Sequence, residues 1–406
     1  MIRLRAVHLT IPLALATVVA ACSRTAERAP AANAAAAAAP AVDLQAIAKT
    51  LVASAMIHRG DKVFVSGGVR DWALLQDIAI ETMKAGGDPL ITMGSDQLAR
   101  RSYTEVPASY DSLPPTFGLG LVNLTDAQIL VESNDSDNVM AGVPAARIAV
   151  RGKMGQPVGQ AFLRRGVRMV DLGNGLYPTA QLATRLGRPQ AEVADMFWKA
   201  VAVPPDSLRT RGAALLAALT AGTRVTLTAA SGTNISFGVT AARGFVSDGA
   251  LNADKVKQGG YAAQTWLPAG ELLVPVALGT AEGTIVVDKY LFQGSMIDGL
   301  TLTFAKGKLT AMTAKSGIEA LRALYDASSG GKDMFSYIDL GLNPAMQLPT
   351  NTGRIVWMAV GGVTVGMGDN TGWGGTNVST FGLAVPVSGA TLTVDGRELI
   401  SGGVLK

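Results

Sequence analysis

Cysteine, histidine and charged side chains are scarce in this chain of 406 residues. Cys22 is the single cysteine, so no disulfide can form within the chain and no cysteine cluster can hold a metal. Of the two histidines, His8 lies in an N-terminal segment that we expect to be removed, which leaves His58 alone. Because catalytic zinc normally takes several nitrogen or sulfur ligands, an ordinary zinc site is excluded.

Several other catalytic patterns are also missing. A Ser-His-Asp triad would have to recruit His58, whose place in a turn after a helix favours a partly exposed, non-catalytic side chain. The chain has no Gly-x-Ser-x-Gly elbow. A serine with a lysine base stays open, since lysines such as Lys289 and Lys306 are many and unspecific. The glycine-rich run 361–375 misses the dinucleotide-binding spacing by one residue and has no Gly-Lys-Ser/Thr ending, so it predicts turns and close backbone approaches.

What the chain does contain is apolar sequence. Hydrophobic residues make up 48% of it and charged residues only 16%, which supports sizeable cores and, at this length, two domains. Loss of Arg3 and Arg5 with the N-terminal segment would lower the formal net charge of +4 by two. A charge so close to zero gives no indication of nucleic-acid binding.

The N-terminus has the pattern of a bacterial lipoprotein signal. Arg3 and Arg5 precede an apolar run over 9–19, and small residues follow up to Cys22. We therefore predict a signal peptide over 1–21 and lipidation of Cys22. The lipid would anchor the protein to a membrane of the bacterial cell envelope, with the protein facing the periplasm. Ser23 in the next position favours the outer membrane by resemblance to Gram-negative sorting patterns. The Ala/Pro-rich segment 22–41 predicts a tether without a core of its own.

The remainder divides into two patterns, and the predicted fold class is α/β. In 42–205, helices alternate with short apolar strands, with an N-cap at Asp43 and strands at 62–66, 89–93, 127–131 and 167–171. This alternation predicts an N-terminal α/β domain with a parallel sheet, closed by helices over 190–201 and 206–221. In 206–406, β-branched segments alternate with glycine turns, at 224–229, 234–239, 272–277, 284–288 and 300–310. A β-rich, barrel-like C-terminal domain is therefore expected after the boundary at Pro204 and Pro205.

One acidic residue interrupts the β-rich part. Glu271 stands between a Leu-Pro-Ala-Gly turn over 267–270 and an apolar strand, so rigid backbone places its carboxylate beside buried surface. Such a position suits a metal ligand or a general base. The alternative is a solvated glutamate in a turn.

A set of short motifs resembles the thermophilic aminopeptidases, the family of aminopeptidase T and its staphylococcal relatives. The motifs, in chain order, are the helix-turn-Gly-Asp-Lys-Val segment 43–63, Lys-Ala-Gly-Gly-Asp-Pro at 84–89, Ser-Gly-Thr-Asn-Ile-Ser-Phe at 231–237, Leu-Pro-Ala-Gly-Glu at 267–271, Glu-Gly-Thr-Ile-Val-Val-Asp at 282–288, Gly-Leu-Asn-Pro at 341–344, Gly-Asp-Asn at 368–370 and Thr-Leu-Thr-Val-Asp-Gly at 391–396. The resemblance implies a dimetal peptidase fold, a metal site within the second domain, and a homodimer.

The resemblance also implies that most of the metal-site residues are replaced. Glu271 matches the first expected glutamate. The other expected ligand positions carry side chains that a transition metal does not favour, and these are Tyr337, Thr364, Thr371, Phe381 and Leu383. Asp339 lies two residues after Tyr337, on the same face of a strand but displaced by about 6.6 Å.

Two functions of different classes follow. The first is a catalytically degenerate, lipid-anchored member of the family that has no metal cofactor and acts in binding or scaffolding, with a peptide as one candidate ligand. The second is an active divergent metallo-aminopeptidase, in which Glu271 and Asp339 belong to a rebuilt carboxylate site for divalent ions. Two or more carboxylates within about 4 Å of one ion position would favour the enzyme. Glu271 alone, with Phe381 and Leu383 filling the cavity beside it, would favour the binding protein.

Overall fold

The computed structural model describes residues 42–136, 139–140, 142–239, 244–292, 294–347 and 353–406. The predicted signal peptide, Cys22 and the tether over 22–41 lie outside these residues, so their prediction stands untested. All described residues belong to one compact unit that spans 39–406. No helix in the described ranges combines the length and the apolar character needed to cross a membrane.

The first part of the chain alternates helices with parallel strands. Asp43 caps the first helix, where its carboxylate accepts a hydrogen bond from the Ala46 amide at 3.0 Å, as the sequence predicts. The helices are α1 (Leu44–Ser54), α2 (Trp72–Lys84), α3 (Asp96–Thr104), α4 (Thr116–Leu124), α5 (Ala145–Arg165), α6 (Ala180–Leu186), α7 (Gln190–Val201) and α8 (Pro205–Thr220). The strands are β1 (Lys62–Gly68), β2 (Asp88–Gly94), β3 (Ala127–Val131) and β4 (Arg168–Leu172). The prediction of a parallel sheet with crossover helices is confirmed.

The second part is dominated by antiparallel strands. It contains β5 (Val225–Thr228), β6 (Asn234–Phe237), β7 (Phe245–Ser247), β8 (Gln264–Leu267), β9 (Glu271–Pro275), β10 (Glu282–Phe292), β11 (Ser295–Ala305), β12 (Lys308–Thr313), β13 (Phe335–Gly341), β14 (Val363–Gly368), β15 (Gly382–Val387), β16 (Thr391–Val394), β17 (Arg397–Ser401) and β18 (Val404–Leu405). Two helices interrupt them, α9 (Ala253–Gln258) and α10 (Glu319–Ala327). The predicted β-rich C-terminal part is thus confirmed.

The strands form three sheets among the described residues. The parallel sheet has the order β2-β1-β3-β4-β8, an eight-stranded sheet has the order β12-β11-β10-β6-β5-β16-β17-β18, and a five-stranded sheet has the order β15-β14-β13-β9-β7. Strand β8 follows the predicted boundary at Pro204 and Pro205, yet it pairs in parallel with β4. The two parts of the chain therefore share the parallel sheet, and their independence as domains stays a prediction.

The segment 300–310, predicted as one strand, is divided between two strands. Strand β11 ends at Ala305, and β12 begins at Lys308 as its antiparallel partner. Lys306 and Gly307 between them both have positive φ, 49° and 75°, which is the backbone of a two-residue hairpin turn. The β-branched composition predicted strand structure here, but it did not reveal that the chain reverses direction at Lys306 and Gly307.

Candidate functional site

Glu271 and Asp339 lie on one face of the antiparallel five-stranded sheet. Strand β9 pairs antiparallel with β13, so that Glu271 is opposite Gly341 and Leu273 is opposite Asp339. Directly opposed residues point to the same face, and so do residues two apart on one strand. The two carboxylates are therefore diagonal neighbours, within reach of each other across two strands.

The turn before β9 fixes the start of the strand at Glu271. Gly270 has φ of +117° and is so close to Asn343 that an added Cβ would lie 2.9 Å from the Asn343 backbone nitrogen. The buried amide group of Asn343 donates hydrogen bonds to the carbonyl oxygens of Ala269, at 2.7 Å, and Ala200, at 2.9 Å. The asparagine of the Gly-Leu-Asn-Pro motif thus holds the turn against the end of α7.

Burial is the largest influence on the pKa values of Glu271 and Asp339. The Asn174 amide donates a 2.7 Å hydrogen bond to Oε1 of Glu271, and yet burial raises the pKa of Glu271 to about 7. Asp339 is only 1% exposed, and burial together with the nearby Glu271 carboxylate raises its pKa well above the usual range. Both carboxylate oxygens of Asp339 lack a hydrogen-bond partner among the described residues.

Tyr337 occupies the space beside this pair. It lies opposite Gly366 on β14, and a Cβ added to Gly366 would lie 2.0 Å from the tyrosine ring, so the ring covers the glycine. Burial, with a contribution from the Asp339 carboxylate, raises the pKa of Tyr337 above its ordinary value. The phenol is therefore kept neutral, which makes it a poor metal ligand. Thr364, opposite Asp339 on β14, adds a buried hydroxyl to the same face.

The other predicted positions do not join this face. Thr371 is exposed in the short 3-10 turn Thr371–Trp373, where its hydroxyl donates to Asp369 at 2.9 Å. Leu383 is opposite Met367 and therefore points to the other face of the sheet. Phe381 is buried against Tyr325, with ring centroids 5.3 Å apart. Phe381 and Leu383 thus pack into the core and do not fill a cavity above the carboxylates.

On β15, the residues that share the face of the carboxylates are displaced by one position from Phe381 and Leu383. They are Gly382, Ala384 and Pro386, which lie opposite Gly368, Gly366 and Thr364. None of these three has a side-chain donor for a metal.

Sequence reasoning missed two polar residues of the site. Asn174 follows β4 in a Gly-Asn-Gly turn with positive φ at all three residues, at the carboxyl edge of the parallel sheet, where ligand sites of open α/β sheets occur. Its position after an apolar strand is a signal that could have identified it. Ser247 lies directly opposite Glu271 on β7, and its buried hydroxyl has no hydrogen-bond partner in the described ranges. Only the pairing of β7 with β9 reveals Ser247.

The fold is α/β, and the site consists of two carboxylates on one face of its antiparallel five-stranded sheet. The model of the thermophilic metalloprotease (M29) family matches residues 41–334. The chain belongs to this family, as the motifs predict.

Comparison with solved structures gives the same fold. The chain is similar to wild-type AmpT from Thermus thermophilus, with a TM-score of 0.68 and 17% identity over 89% of this chain and 98% of that one. It is also similar to 2,5-dihydroxypyridine dioxygenase from Pseudomonas putida, with a TM-score of 0.54 and 14% identity over 89% of this chain and 96% of that one. No curated protein matches by sequence. Because the matching family model is that of metalloproteases while a dioxygenase has a similar fold, the fold alone does not fix an activity.

Proposed function

We propose that this protein is a catalytically degenerate member of the family that acts as a lipid-anchored binding protein of the cell envelope. The observation that carries the proposal is the face around Glu271, where a neutral phenol, a hydroxyl and three residues without donors stand beside two carboxylates. Such a face keeps polar groups that can contact a ligand, but it offers few donors for a pair of ions.

The residues do not fit a dimetal centre. Two hydrolytic ions about 3.5–4 Å apart need a bridging carboxylate and further donors on both sides. Within the described ranges, no three histidine, cysteine, aspartate or glutamate side chains are grouped closely enough to hold a metal. The buried oxygens of Asp339 could accept a cation, but Tyr337 stands over Gly366 where further ligands would need room. Dimetal hydrolysis is therefore not part of the proposed function.

The anchor and the location form the second half of the proposal. Lipidation of Cys22 would hold the protein at a membrane that faces the periplasm, and Ser23 favours the outer membrane. Support comes from the signal pattern in the sequence. The homodimer that the family resemblance implies belongs to the same proposal.

Elemental analysis beside an aminopeptidase assay tests the loss of catalysis. We expect no stoichiometric transition metal and no cleavage of aminoacyl reporter substrates above the rate in buffer, even with added zinc, cobalt or manganese. The Glu271→Ala variant should give the same baseline. A content near two metals per chain, with activity that this substitution abolishes, would overturn the proposal.

One observation favours a second candidate, an active divergent metallo-aminopeptidase. Glu271 and Asp339 do share one face, and an ion between them would find two carboxylates. Activity that requires both residues, in a protein that retains bound metal after dialysis, would establish this alternative. The aminopeptidase assay with Asp339→Asn beside Glu271→Ala separates the two candidates.

A further inference from the structure

We propose that the surface formed by α4 and α5 docks on an anionic phospholipid bilayer. This docking surface consists of the exposed apolar side chains of the segment 112–125 and the exposed cations of α5. It shares no residue with the carboxylate face, so it goes beyond the proposed function. The choice of a bilayer as the partner rests in part on the membrane location that is proposed above.

Large apolar side chains are exposed with unusual frequency between residues 90 and 150. Among the described residues, more than half of the large apolar side chains with high exposure lie in this stretch. Phe117, at 80%, is the most exposed of all of them. Single apolar residues on a protein surface need no explanation, whereas such a concentration marks a surface that contacts a partner.

Helix α4 presents an apolar stripe to the outside. Phe117, Leu121 and Leu124 are spaced i, i+4 and i+7, which places them along one side of the helix. Leu124 is 60% exposed, whereas Val122 on the inner side is only 1% exposed. The whole segment 112–125 contains no charged residue. With nine residues, α4 is too short to cross a bilayer, but it can lie within the interfacial layer.

The interior of this helical region is ionic. The Asp111 carboxylate is buried and accepts hydrogen bonds from Nε of Arg147 and Nε of Arg151, both at 2.6 Å. These guanidinium groups lower the pKa of Asp111 to about 2, and the hydrogen bond from Arg147 is the largest cause. Arg151 also donates to the backbone carbonyl of Ser102 at 2.7 Å, so polar contacts join α3 to α5. Ions inside and apolar side chains outside are the reverse of the usual arrangement in water, which favours an apolar environment against the outer surface.

Helix α5 carries positive charge and no negative charge. Its cations are Arg147, Arg151, Lys153, Arg164 and Arg165, and it contains no acidic residue. The first two pair with the buried aspartate, whereas Lys153 and Arg164 are exposed and form no ion pair with a described residue. Exposed cations beside an apolar surface are attracted to the headgroups of anionic lipids.

The two helices form one surface because they are in direct contact. A Cβ added to Gly118 of α4 would lie 3.2 Å from the Val158 side chain of α5. The Arg165 guanidinium donates to the carbonyl oxygen of Thr125 at 2.9 Å, directly after the end of α4. Arg164, the preceding residue, therefore lies beside the end of the apolar stripe. The cations and the stripe are close enough to engage one lipid surface together.

The lack of acidic residues argues against a second copy of the chain as the partner. In a twofold dimer through this surface, the same patch of both copies would meet. Lys153 and Arg164 would then approach their own counterparts, while neither α5 nor the segment 112–125 offers an acid to pair with them. The proposed homodimer would therefore use another surface.

The predicted tether allows this surface to reach the membrane. At about 3.5 Å per residue, the extended segment 22–41 would span about 70 Å. A lipid on Cys22 would thus keep the protein near the membrane without setting its orientation. Because such a tether raises the effective concentration of the protein at the bilayer, even weak docking through α4 and α5 would orient the molecule.

Co-sedimentation with vesicles tests the docking in the absence of the lipid. The protein is the chain 22–406 with Cys22→Ser, which keeps every described residue and has no signal peptide. We expect at least tenfold stronger binding to vesicles of equimolar phosphatidylglycerol and phosphatidylcholine than to phosphatidylcholine alone. High salt should remove most of this difference, because it screens the attraction to the headgroups.

Two matched pairs of substitutions test the apolar stripe. Phe117→Ser with Leu124→Ser should weaken binding to the anionic vesicles at least tenfold. Val378→Ser with Val404→Ser, at positions that are 70% and 61% exposed, should leave binding unchanged. Neither pair should change the melting temperature without vesicles, since all four side chains are exposed. Lost binding together with a lower melting temperature in the first pair would show that the stripe packs within the fold, and would overturn the proposal.

A second set of substitutions tests the cations. Lys153→Glu with Arg164→Glu should reduce binding to the anionic vesicles at least tenfold. Lys308→Glu with Arg397→Glu makes the same change of charge at exposed positions outside the docking surface and should have little effect. Equal losses in both pairs would show that net charge alone controls binding, which would refute a specific surface.

A fluorescent probe tests contact with the bilayer directly. Since Cys22 is the single cysteine, the Cys22→Ser background accepts one new cysteine for labelling. An environment-sensitive nitrobenzoxadiazole dye on Phe117→Cys should brighten and shift to the blue with anionic vesicles. The same dye on Val378→Cys should not respond, and equal responses at both positions would contradict the assigned orientation.

Light scattering separates a bilayer from a protein partner. If Phe117→Ser with Leu124→Ser converted a dimer to monomers, and no vesicles were bound, the surface would be a contact between copies and the proposal would be overturned. Failure of vesicle binding, with the unmodified protein still in the membrane fraction, would refute the docking and leave the proposed lipid anchor intact. Vesicle binding by a protein that carries no lipid in cells would do the reverse, so the two failures are distinguishable.

Discussion

At the scale of single residues, Asp171 shows how the burial of a carboxyl group makes the stability of the fold depend on pH. This strand residue of β4 has a pKa raised to about 6 by burial, against an ordinary value of 3.8, although a hydrogen bond from the backbone N–H of Asn174 partly offsets the shift. Because the folded state holds its proton more tightly, stability falls as pH rises from about 4 to about 6 and stays low above that. We expect Asp171→Asn to raise the free energy of unfolding at pH 8 by about 3 kcal/mol, because each pKa unit corresponds to about 1.4 kcal/mol.

The measurement is denaturant unfolding at several pH values. The gain from Asp171→Asn should vanish below about pH 3, where the aspartic acid of the unmodified protein is neutral in both states. Asp88→Asn is the matched control, since Asp88 is an exposed strand residue in the same sheet, and it should leave stability within about 0.5 kcal/mol at each pH. A gain that is independent of pH would refute the explanation by burial of charge.

Residue-level prediction from the sequence succeeded where a local pattern fixes a position. Glu271 stands after a Pro-Ala-Gly turn, and its place at the start of a strand followed from that turn. The shared face of Glu271 and Asp339, by contrast, depends on the register of β9 against β13, which pairs residues almost seventy positions apart. A shift of one residue in such a register moves a side chain to the other face, as the placement of Leu383 illustrates.

At the scale of elements, Asn343 connects three segments that are distant in the chain. Its amide donates to carbonyl oxygens at the end of α7 and in the turn before β9, and its Oδ1 accepts from the Ala345 amide at 3.0 Å. We expect Asn343→Ala to lower the free energy of unfolding by about 3 kcal/mol, because it leaves buried carbonyl groups without donors. Denaturant unfolding measures the loss.

A second asparagine provides the comparison for this experiment. Asn234 is exposed on β6, so Asn234→Ala removes the same side chain without opening buried hydrogen bonds. Its effect should stay within about 0.5 kcal/mol. If both substitutions cost the same, the bridging role of Asn343 is refuted.

Element prediction was best where strands and helices bury one face. The bounds of β3 and α7 agree with the predicted 127–131 and 190–201, because both carry strong apolar patterns. No bounds were predicted for α3, and this helix has no buried residue that would impose an apolar periodicity. Strand β8 was also missed, since only four residues pair with β4 and nothing local specifies that partner.

At the scale of the whole molecule, the predicted lipid on Cys22 determines whether the protein is held at a membrane. We expect the protein to sediment with membranes and the Cys22→Ser variant to move to the soluble fraction. A diacylglycerol with an amide-linked acyl chain supplies enough buried CH₂ groups for stable anchoring, whereas one chain alone would bind reversibly. Fractionation with a tag-specific blot measures the distribution. Ser23→Ala, which keeps Cys22, should remain with the membranes, and equal membrane association of Cys22→Ser would refute lipidation.

The path of the chain through β8 and β9 limits where the protein can be cut into separately expressed fragments. Only three residues separate the last strand of the parallel sheet from the first residue of a strand in the five-stranded sheet. A fragment that stopped at Pro205 would expose the backbone donors and acceptors of β4 along an open edge, which invites pairing with other chains and aggregation. Insertions or affinity tags placed between Leu267 and Glu271 would separate strands that the two sheets need side by side. Expression of the halves as separate polypeptides therefore calls for a cut elsewhere, with β8 retained beside its parallel neighbour.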